Sequence, residues 1–215
     1  MKLGYIAAPG PGAADRILAT LADRLERRGL RLAGTVQTNT EHAASGRCDM
    51  DVRVLGGGPV IRISQSLGTG SRGCRLDPAA LEQAVGEVAS RLAGRIDLVL
   101  INKFGKHESE ARGFRSLIAE ALERGLTIVI AVNELNLASF LDFTGGLAAE
   151  LQPNVDTIEE WLGRRSQDVA AWAGLVRRIT LRWRRGPAWA ECYFSGQSTR
   201  CVRSTRPVNR TTSIA

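Results

Sequence analysis

The sequence predicts an α/β protein in which a mainly parallel sheet lies between two layers of helices and carries an inserted β-hairpin. Three observations carry this prediction. The chain opens as strand, Gly-rich turn, helix and strand, which is how a parallel α/β sheet begins. Two later segments, 97–101 and 127–132, are continuous apolar strands of the kind that parallel sheets bury on both faces. Between 49 and 65 the pattern instead alternates around a Gly-rich turn, which is typical of a hairpin.

The first unit spans the amino-terminal 36 residues. Leu3 to Ala8 is predicted as a buried strand, and the run Pro9 to Gly12 ends it. Apolar residues then recur at helical spacing from Ile17 to Leu25, and Gly29 is expected to end that helix. Leu30 to Val36 is predicted as the second strand.

The middle of the chain is predicted to hold the hairpin and a second helix. Val52 and Val54 alternate with charged residues, and the Gly56–Gly58 turn returns the chain along 60–64. A flexible loop is expected at 68–73. Asp77 and Pro78 have the features of an N-cap and a first-turn proline, so they predict the start of a helix.

The remaining elements alternate between strands and helices. The strand Asp97–Ile101 leads into Asn102–Lys106, and a helix follows over 114–122. Thr127–Val132 is the next strand, 137–143 is a short helix, and Gly145-Gly146 breaks the chain. Asp156 with Glu159 resembles a capping box that opens a last helix toward Trp172.

The net charge of +7 is concentrated at the carboxyl end. Residues 177–215 contain nine Arg and one acidic residue, Glu191, which leaves 20 basic and 21 acidic residues in the first 176. A near-neutral body argues against a basic groove for nucleic acid. We therefore expect one α/β domain over 1–175 and a basic, mostly disordered tail over 176–215, for which an anionic surface or RNA is the sharper alternative.

The composition also restricts the setting of the protein. No run approaches the roughly 18 apolar residues of a membrane-spanning helix, so a cytoplasmic protein without membrane contact is expected. Four Cys, at 48, 74, 192 and 201, form neither a C-x-x-C pair nor a disulfide framework. Cys48 and Cys74 each have an adjacent Arg that would favour thiolate, but ordinary reduced thiols are the default and no metal site is predicted. The sequence leaves the oligomeric state open.

The turn after the first strand is the first candidate for ligand binding. A phosphate-binding P-loop has the pattern G-x-x-x-x-G-K-[ST], in which backbone N–H groups hold phosphate, Lys reaches its terminal groups and Ser or Thr binds Mg²⁺. With Gly12 as the second Gly, Ala7 replaces the first Gly, Ala13 the Lys and Ala14 the hydroxyl residue. The backbone cradle is expected to remain while the catalytic side chains are missing; a Gly-Pro turn without any ligand is the alternative.

The segment after the third predicted parallel strand is the second candidate. In P-loop enzymes such a strand ends in the Asp that holds the metal, whereas here it ends in Asn102 and Lys103. The chain contains only three Lys, and two of them, Lys103 and Lys106, lie in this segment. An ammonium group suits an oxyanion or a phosphate, although both side chains could simply extend into solvent.

Several motifs resemble a bacterial family of NTPase-like proteins of unknown function, some of which are encoded near molybdate-transport genes. The motifs, in order along the chain from about Leu3 to Trp172, are AAPGPGAAD, GRCDMDV, ISQSLGTGSRGCRLDP, DLVLINKFGKHESEARGFR and FTGGLA. That family is similar to nucleoside triphosphatases whose small domain has a P-loop, an inserted hairpin and an Asp-Glu-x-Gly-Lys-x-Glu element. The resemblance implies a P-loop NTPase-like fold.

The same resemblance places 102–108 at that element. Gly105, Lys106 and Glu108 agree with it, while Asn102 and Lys103 replace its Asp-Glu pair. Together with Ala13 and Ala14, these replacements imply that hydrolysis of the ordinary kind is lost.

Ligands of open parallel sheets bind outside the carboxyl ends of the strands. We therefore expect one shared site, whose predicted ligand-binding residues are Gly10, Gly12, Ala13, Asn102, Lys103, Lys106, Glu108 and Asn133. The leading hypothesis is a non-hydrolysing protein that binds a small anion, either a nucleotide or an oxyanion such as molybdate. The alternatives are a weak nucleoside triphosphatase using Glu108 or Glu134 to orient water, and a protein-interaction adaptor with a decayed nucleotide site. Neither catalytic residues nor a cofactor can be assigned.

Overall fold

The computed structural model describes residues 2–42, 47–65 and 76–163. The strands in chain order are β1 Lys2–Ile6, β2 Leu32–His42, β3 Arg47–Val54, β4 Val60–Arg62, β5 Leu98–Phe104, β6 Thr127–Val132 and β7 Ala149–Glu150. The helices are α1 Ala13–Arg27, α2 Pro78–Leu92, α3 Lys106–Ser109, α4 Arg115–Glu123, α5 Leu137–Thr144 and α6 Val155–Gly163. No helix among these residues is long and apolar enough to cross a membrane.

All seven strands belong to one sheet, in the order β4-β3-β2-β5-β6-β1-β7. The five strands from β2 to β7 in that order pair in parallel, while β3 and β4 are antiparallel additions beside β2. The predicted fold class, a mainly parallel sheet with an inserted hairpin, is confirmed. Parallel strands need crossover connections, and the helices between them supply these.

Helices cover both faces of the sheet, which makes the predicted three layers. On one face α1 and α6 pack on a cluster that includes Leu18, Leu100 and Ile158. On the other face α2, α4 and α5 pack on a second cluster that includes Val88, Ile101 and Phe140. Residues 98–101 of β5 alternate between the two clusters, because successive side chains of a strand point to opposite faces.

Strand β2 is longer than predicted, and this changes the hairpin. It was expected to end at Val36 but continues to His42 and pairs with β3 along the whole length of β3. The polar residues of TNTEH hid this extension, since they lack the apolar alternation of a half-buried strand. The inserted hairpin is therefore the outer part of a three-stranded antiparallel region that continues the parallel sheet.

The N-terminal cap predicted for α2 is confirmed, whereas the one predicted for the last helix, α6, is wrong. Asp77 caps α2 as predicted, with its side chain accepting from the N–H groups of Ala79 and Ala80. The predicted capping box at Asp156 is wrong, because Asn154 caps α6 by accepting from the backbone N–H groups of 156 and 157.

One strand was not predicted from the sequence, and several predictions concern residues that the structure does not describe. The two-residue strand β7 was not predicted, since it is too short to show a period. The predictions for the 68–73 loop, for Cys74, for a helix reaching Trp172, and for the 175/176 boundary with its tail all lie outside the described residues.

Candidate ligand-binding site

Three connecting segments meet at the carboxyl edge of the sheet. β5, β6 and β1 are parallel neighbours, so the segments that follow them begin side by side at one edge. The helix after β1 lies on one face of the sheet and the helix after β6 on the other. Neighbouring strands whose connections leave on opposite faces frame a crevice. The predicted convergence of these strand exits is confirmed.

The turn after β1 has the backbone shape of a cradle. Gly10 and Gly12 adopt left-handed conformations, with φ of 87° and 69°, which favour glycine because other residues would be strained there. Gly12 is the N-cap of α1, and no side chain from residues 2–42, 47–65 or 76–163 caps this helix. The N–H of Ala13 makes only a long 3.5 Å contact with the carbonyl of Gly10. The first turn of α1 therefore presents donors that its own side chains do not satisfy.

A chain of polar side chains reaches this turn from β2. Gln37 Nε2 donates to Asn39 Oδ1 over 2.6 Å, and Asn39 Nδ2 donates to Asp15 Oδ2 over 2.5 Å. Asp15 lies in the first turn of α1 and is 4% exposed. A Cβ placed on Gly12 would lie 3.9 Å from Asp15 Oδ2, so the carboxylate sits against the turn.

Arg16 supplies a cation beside the same turn. Its Nη1 would lie 3.4 Å from a Cβ on Gly12, although the residue is exposed overall. No carboxylate in the described part of the chain is within ion-pair distance of its guanidinium. Arg16 therefore provides, three residues later in the chain, a positive charge that Ala13 cannot provide.

Neither Asp15 nor Arg16 was predicted from the sequence as part of the site. The available signal for Asp15 was its position, since it lies three and seven residues before Leu18 and Ala22 on the apolar stripe of α1. A charged residue on a buried stripe needs a polar partner. That partner, Asn39, lies 24 residues away on a strand extension that the sequence did not reveal.

Asn102 is a buried amide at the end of β5. It is 2% exposed, and neither Nδ2 nor Oδ1 has a hydrogen-bond partner among the described residues. It pairs in register with Ala131, which belongs to the cluster under α1, and it follows Leu100 on that face. By strand alternation the amide therefore lies on the face of the sheet that α1 covers, at the edge where α1 begins. Buried polar groups are normally paired, so this one requires an explanation.

The two predicted lysines occupy different environments. Lys103 is half-buried within β5, and no hydrogen bond or ion pair links it to another described residue. Lys106 is the first residue of α3; its side chain is 81% exposed and its Nζ lies 3.8 Å from Glu110. Of the two, Lys103 is the one the fold partly shields from solvent.

Glu108 shapes its own loop. It is 3% exposed, its Oε2 accepts from the N–H of Gly105 over 2.8 Å, and its Oε1 accepts from the N–H of Phe114 over 3.1 Å. Burial raises the pKa of Glu108 above its usual range, although these two N–H groups oppose the shift. Both oxygens of this buried carboxylate are thus used within the loop, and its contact with a ligand stays a prediction.

The exit of β6 holds the last predicted residue. Asn133 is exposed, and its Oδ1 accepts from the N–H of Leu135 over 2.8 Å, which caps a 3-10 turn over Glu134–Asn136. Glu134 is exposed as well. Asn133 thus lies at the shared edge of the sheet with its amide N–H₂ unused within the described residues.

The magnesium site of an ordinary P-loop protein does not fit these residues. Ala14 offers a methyl group where a hydroxyl ligand belongs, and Asn102 offers a neutral amide where a carboxylate belongs. Asp15 is the one carboxylate of the first turn of α1, and it already accepts from Asn39. Among the described residues, no group of three or more His, Cys, Asp or Glu side chains could hold a metal ion.

The family described as "Protein of unknown function (DUF2478)" matches residues 3–161 of the chain. That range includes the cradle, the inserted hairpin, Asn102 and α6 up to Trp161. The chain belongs to this family, and the resemblance stated from its motifs is confirmed.

One curated protein and two solved structures are also similar to this chain. "Molybdenum import ATP-binding protein ModC 2" of Bradyrhizobium diazoefficiens is 38% identical over 147 residues, which are 68% of this chain but 16% of that protein. A human cancer-related nucleoside triphosphatase matches 87% of this chain and all of its own, at 15% identity and a TM-score of 0.48. THEP1 from the hyperthermophile Aquifex aeolicus matches 76% of this chain and all of its own, at 18% identity and the same TM-score.

Proposed function

We propose that this protein binds a small anionic ligand, a nucleotide or an inorganic oxyanion, between the first turn of α1 and the end of β5, without hydrolysing it. The observation that carries the proposal is that two groups at the carboxyl edge of the sheet have hydrogen-bonding capacity that the described residues do not use. One is a helix start without a side-chain cap, behind left-handed Gly10 and Gly12. The other is the buried amide of Asn102, which lies on the face of the sheet that α1 covers and has no partner in the described part of the chain. Helix starts of this kind bind phosphate and other anions.

The charges near the cradle support an anion more than a metal-bound nucleotide. Arg16 lies against Gly12 without an ion-pair partner among the described residues, and Lys103 follows Asn102 in the chain and is half-buried. Binding of an anion by N–H groups and cations needs no metal ion. Hydrolysis, in contrast, needs a group that neutralises charge developing on the transferred phosphate and one that orients water. Ala13, Ala14 and Asn102 do not provide these.

The two alternatives have less support. A weak triphosphatase would need Glu108 or Glu134 to orient water. Both oxygens of Glu108 hold backbone N–H groups of its own loop, and Glu134 is exposed to solvent in the 3-10 turn after β6. An adaptor with a decayed site would be expected to fill the crevice with apolar side chains, whereas the last buried side chain of β5 on the α1 face is the amide of Asn102. The similarity to a molybdenum import ATP-binding protein, of which the chain matches 16%, is the reason to include molybdate among the anions tested.

Calorimetry in phosphate-free buffer tests the proposal with ATP, ADP, phosphate, molybdate and tungstate, each with Mg²⁺ and with EDTA. We expect at least one of them to bind at submillimolar affinity, with equal affinity under both conditions, and no release of phosphate from ATP. Arg16→Gln should weaken that binding about tenfold, because one charge-assisted contact is lost. Arg27→Gln, at the exposed far end of α1, is the matched control and should bind as the wild type does. Millimolar or weaker binding of every probe, or magnesium-dependent turnover, contradicts the proposal.

A further inference from the structure

Asp15 is a negative charge at a site that we propose for an anion. Its carboxylate lies against Gly12 in the first turn of α1 and is 4% exposed. The one hydrogen bond it makes with the described residues comes from Asn39 Nδ2. Asn39 is itself fixed, because Gln37 donates to its Oδ1. The carboxylate is therefore held in place by the β2 extension and cannot swing away without breaking that chain of bonds.

Asn102 adds a second acceptor from another element. Neither its buried Oδ1 nor its Nδ2 has a partner among the described residues, and the side chain lies on the face of the sheet that α1 covers, at the edge where α1 begins. An amide with both atoms unsatisfied calls for a ligand that accepts one hydrogen bond and donates another. Two independent elements, α1 and β5, thus each present a buried acceptor on that face, at the carboxyl edge of the sheet.

Acceptors distinguish between oxyanions of similar size and charge. An ionised carboxylate accepts hydrogen bonds and donates none. Sulfate, molybdate and tungstate carry no hydrogen at neutral pH. A carboxylate oxygen placed next to one of their oxygens therefore repels it. Hydrogen phosphate and hydrogen arsenate keep one hydroxyl at neutral pH, and this hydroxyl can donate. A site whose buried polar group must pair with a ligand hydroxyl strongly rejects analogues that lack the hydroxyl. An apolar pocket rejects a ligand of slightly different size much more weakly.

We propose that the anionic group recognised at this cradle is a hydroxyl-bearing phosphate, which donates its P–OH hydrogen to Asp15 while its other oxygens accept from the first turn of α1. The inference rests on the proposed function and narrows its ligand. It assigns the site to phosphate rather than to molybdate or sulfate. Asp15 is the specificity-determining residue, and Asn39 is the residue that positions it.

Titration calorimetry of the full chain with phosphate, arsenate, sulfate and molybdate, at constant ionic strength and pH 7.5, tests this. We expect phosphate and arsenate to bind at least tenfold more tightly than sulfate and molybdate. Asp15→Asn keeps an oxygen for the Asn39 bond and gains an N–H₂ donor, so it should bring the four affinities to within about threefold by raising those of sulfate and molybdate. Asp23→Asn removes the same charge from an exposed position of α1 and should leave the tenfold ratio unchanged.

The outcomes separate the two proposals. If sulfate or molybdate binds the wild type as tightly as phosphate does, the selectivity inference is wrong and anion binding stands. If the wild type discriminates but Asp15→Asn preserves the full ratio, Asp15 is not the discriminating group, and the inference is again wrong. If none of the four anions and no nucleotide binds, the proposed function itself fails. Should Asp15→Asn not fold, as judged by its thermal transition, the wild-type ratio alone decides.

Discussion

Asn102 and Asn39 are two amides of the candidate site that differ in how well they are paired. Both side-chain atoms of Asn39 are hydrogen-bonded, to Gln37 and to Asp15, whereas both atoms of Asn102 lack partners among the described residues. An unpaired buried polar group costs about 1–3 kcal/mol of stability. A protein retains such a cost where the group has a function, because selection for stability alone would remove it.

Replacing each amide with leucine gives opposite expectations. Asn102→Leu should raise the free energy of unfolding by about 1 kcal/mol, because an apolar side chain of similar size removes the unpaired amide. It should also weaken binding of the anionic ligand. Asn39→Leu is the matched control and should lower the free energy of unfolding by about 1–3 kcal/mol, since it leaves Gln37 and Asp15 without their partner. Chemical denaturation and calorimetry of both variants provide the measurements, and equal losses of stability would show that Asn102 is paired in the folded protein.

At the scale of one element, the loop after β5 is organised from within. Glu108 accepts from N–H groups at both ends of the loop, at Gly105 and at Phe114. Gly113 allows this, because a Cβ there would lie 2.2 Å from Glu108 Oε1 and its φ is 59°. At the far end, Arg115 Nη1 donates to the carbonyl of Glu108, and its guanidinium lies 4.3 Å from the ring centre of Phe143. These contacts tie the segment that carries both lysines to α5.

The titration of Glu108 should be visible in the stability of the protein. Burial raises its pKa above the ordinary value of 4.5, so the folded state binds more protons than the unfolded state between that pH and the raised pKa. The free energy of unfolding from this group is therefore greatest below pH 4.5 and falls as pH rises through the raised pKa. Glu108→Gln cannot titrate, so the stability of the wild type relative to this variant should decline from pH 4.5 toward neutrality. Urea denaturation across that range measures the difference.

Glu110 in the same loop provides the control for this slope. It is exposed, and its pKa is lowered, first by the hydrogen bond from Arg112. A lowered pKa gives the opposite sign, since the contribution to stability is present above the ordinary pKa and is lost on acidification. Glu110→Gln should therefore leave the downward slope attributed to Glu108 in place. If the downward slope persists in Glu108→Gln but vanishes in Glu110→Gln, its attribution to Glu108 is wrong.

At the scale of the whole molecule, the sequence predicted what depends on local pattern. The strands β5 and β6 follow from unbroken apolar runs, and the start of α2 follows from Asp77 and Pro78. The extension of β2 could not be predicted, because its polar residues are held by pairing with β3, and such pairing is not visible in the sequence of one strand.

The position of the candidate site could be predicted from the sequence, but only some of its residues could. Because the exits of β1, β5 and β6 follow the strands, their convergence could be inferred from strand assignments and the general rule for parallel sheets. Asp15 and Arg16 could not, because their importance depends on a partner 24 residues away and on how the turn folds back against α1. The lack of a partner for Asn102 is likewise a property of three-dimensional packing.

The distribution of charge leads to a prediction for the whole chain. Among the described residues, the two apolar clusters extend from Leu3 to Leu162, and the family match ends at 161. Deleting 177–215 should therefore leave the thermal midpoint within about 2 °C of that of the full chain, because no described core residue is lost and a change of 1 kcal/mol would shift it by several degrees. The deletion reverses the net charge, since the first 176 residues have 20 basic and 21 acidic side chains. Ligand affinity should consequently agree between the two proteins at 0.5 M salt, where long-range charge effects are screened.

Scanning calorimetry and ligand titration at that salt concentration measure both quantities. A midpoint several degrees lower, or an affinity loss that salt does not remove, would mean that residues 177–215 contribute to the fold or to the site.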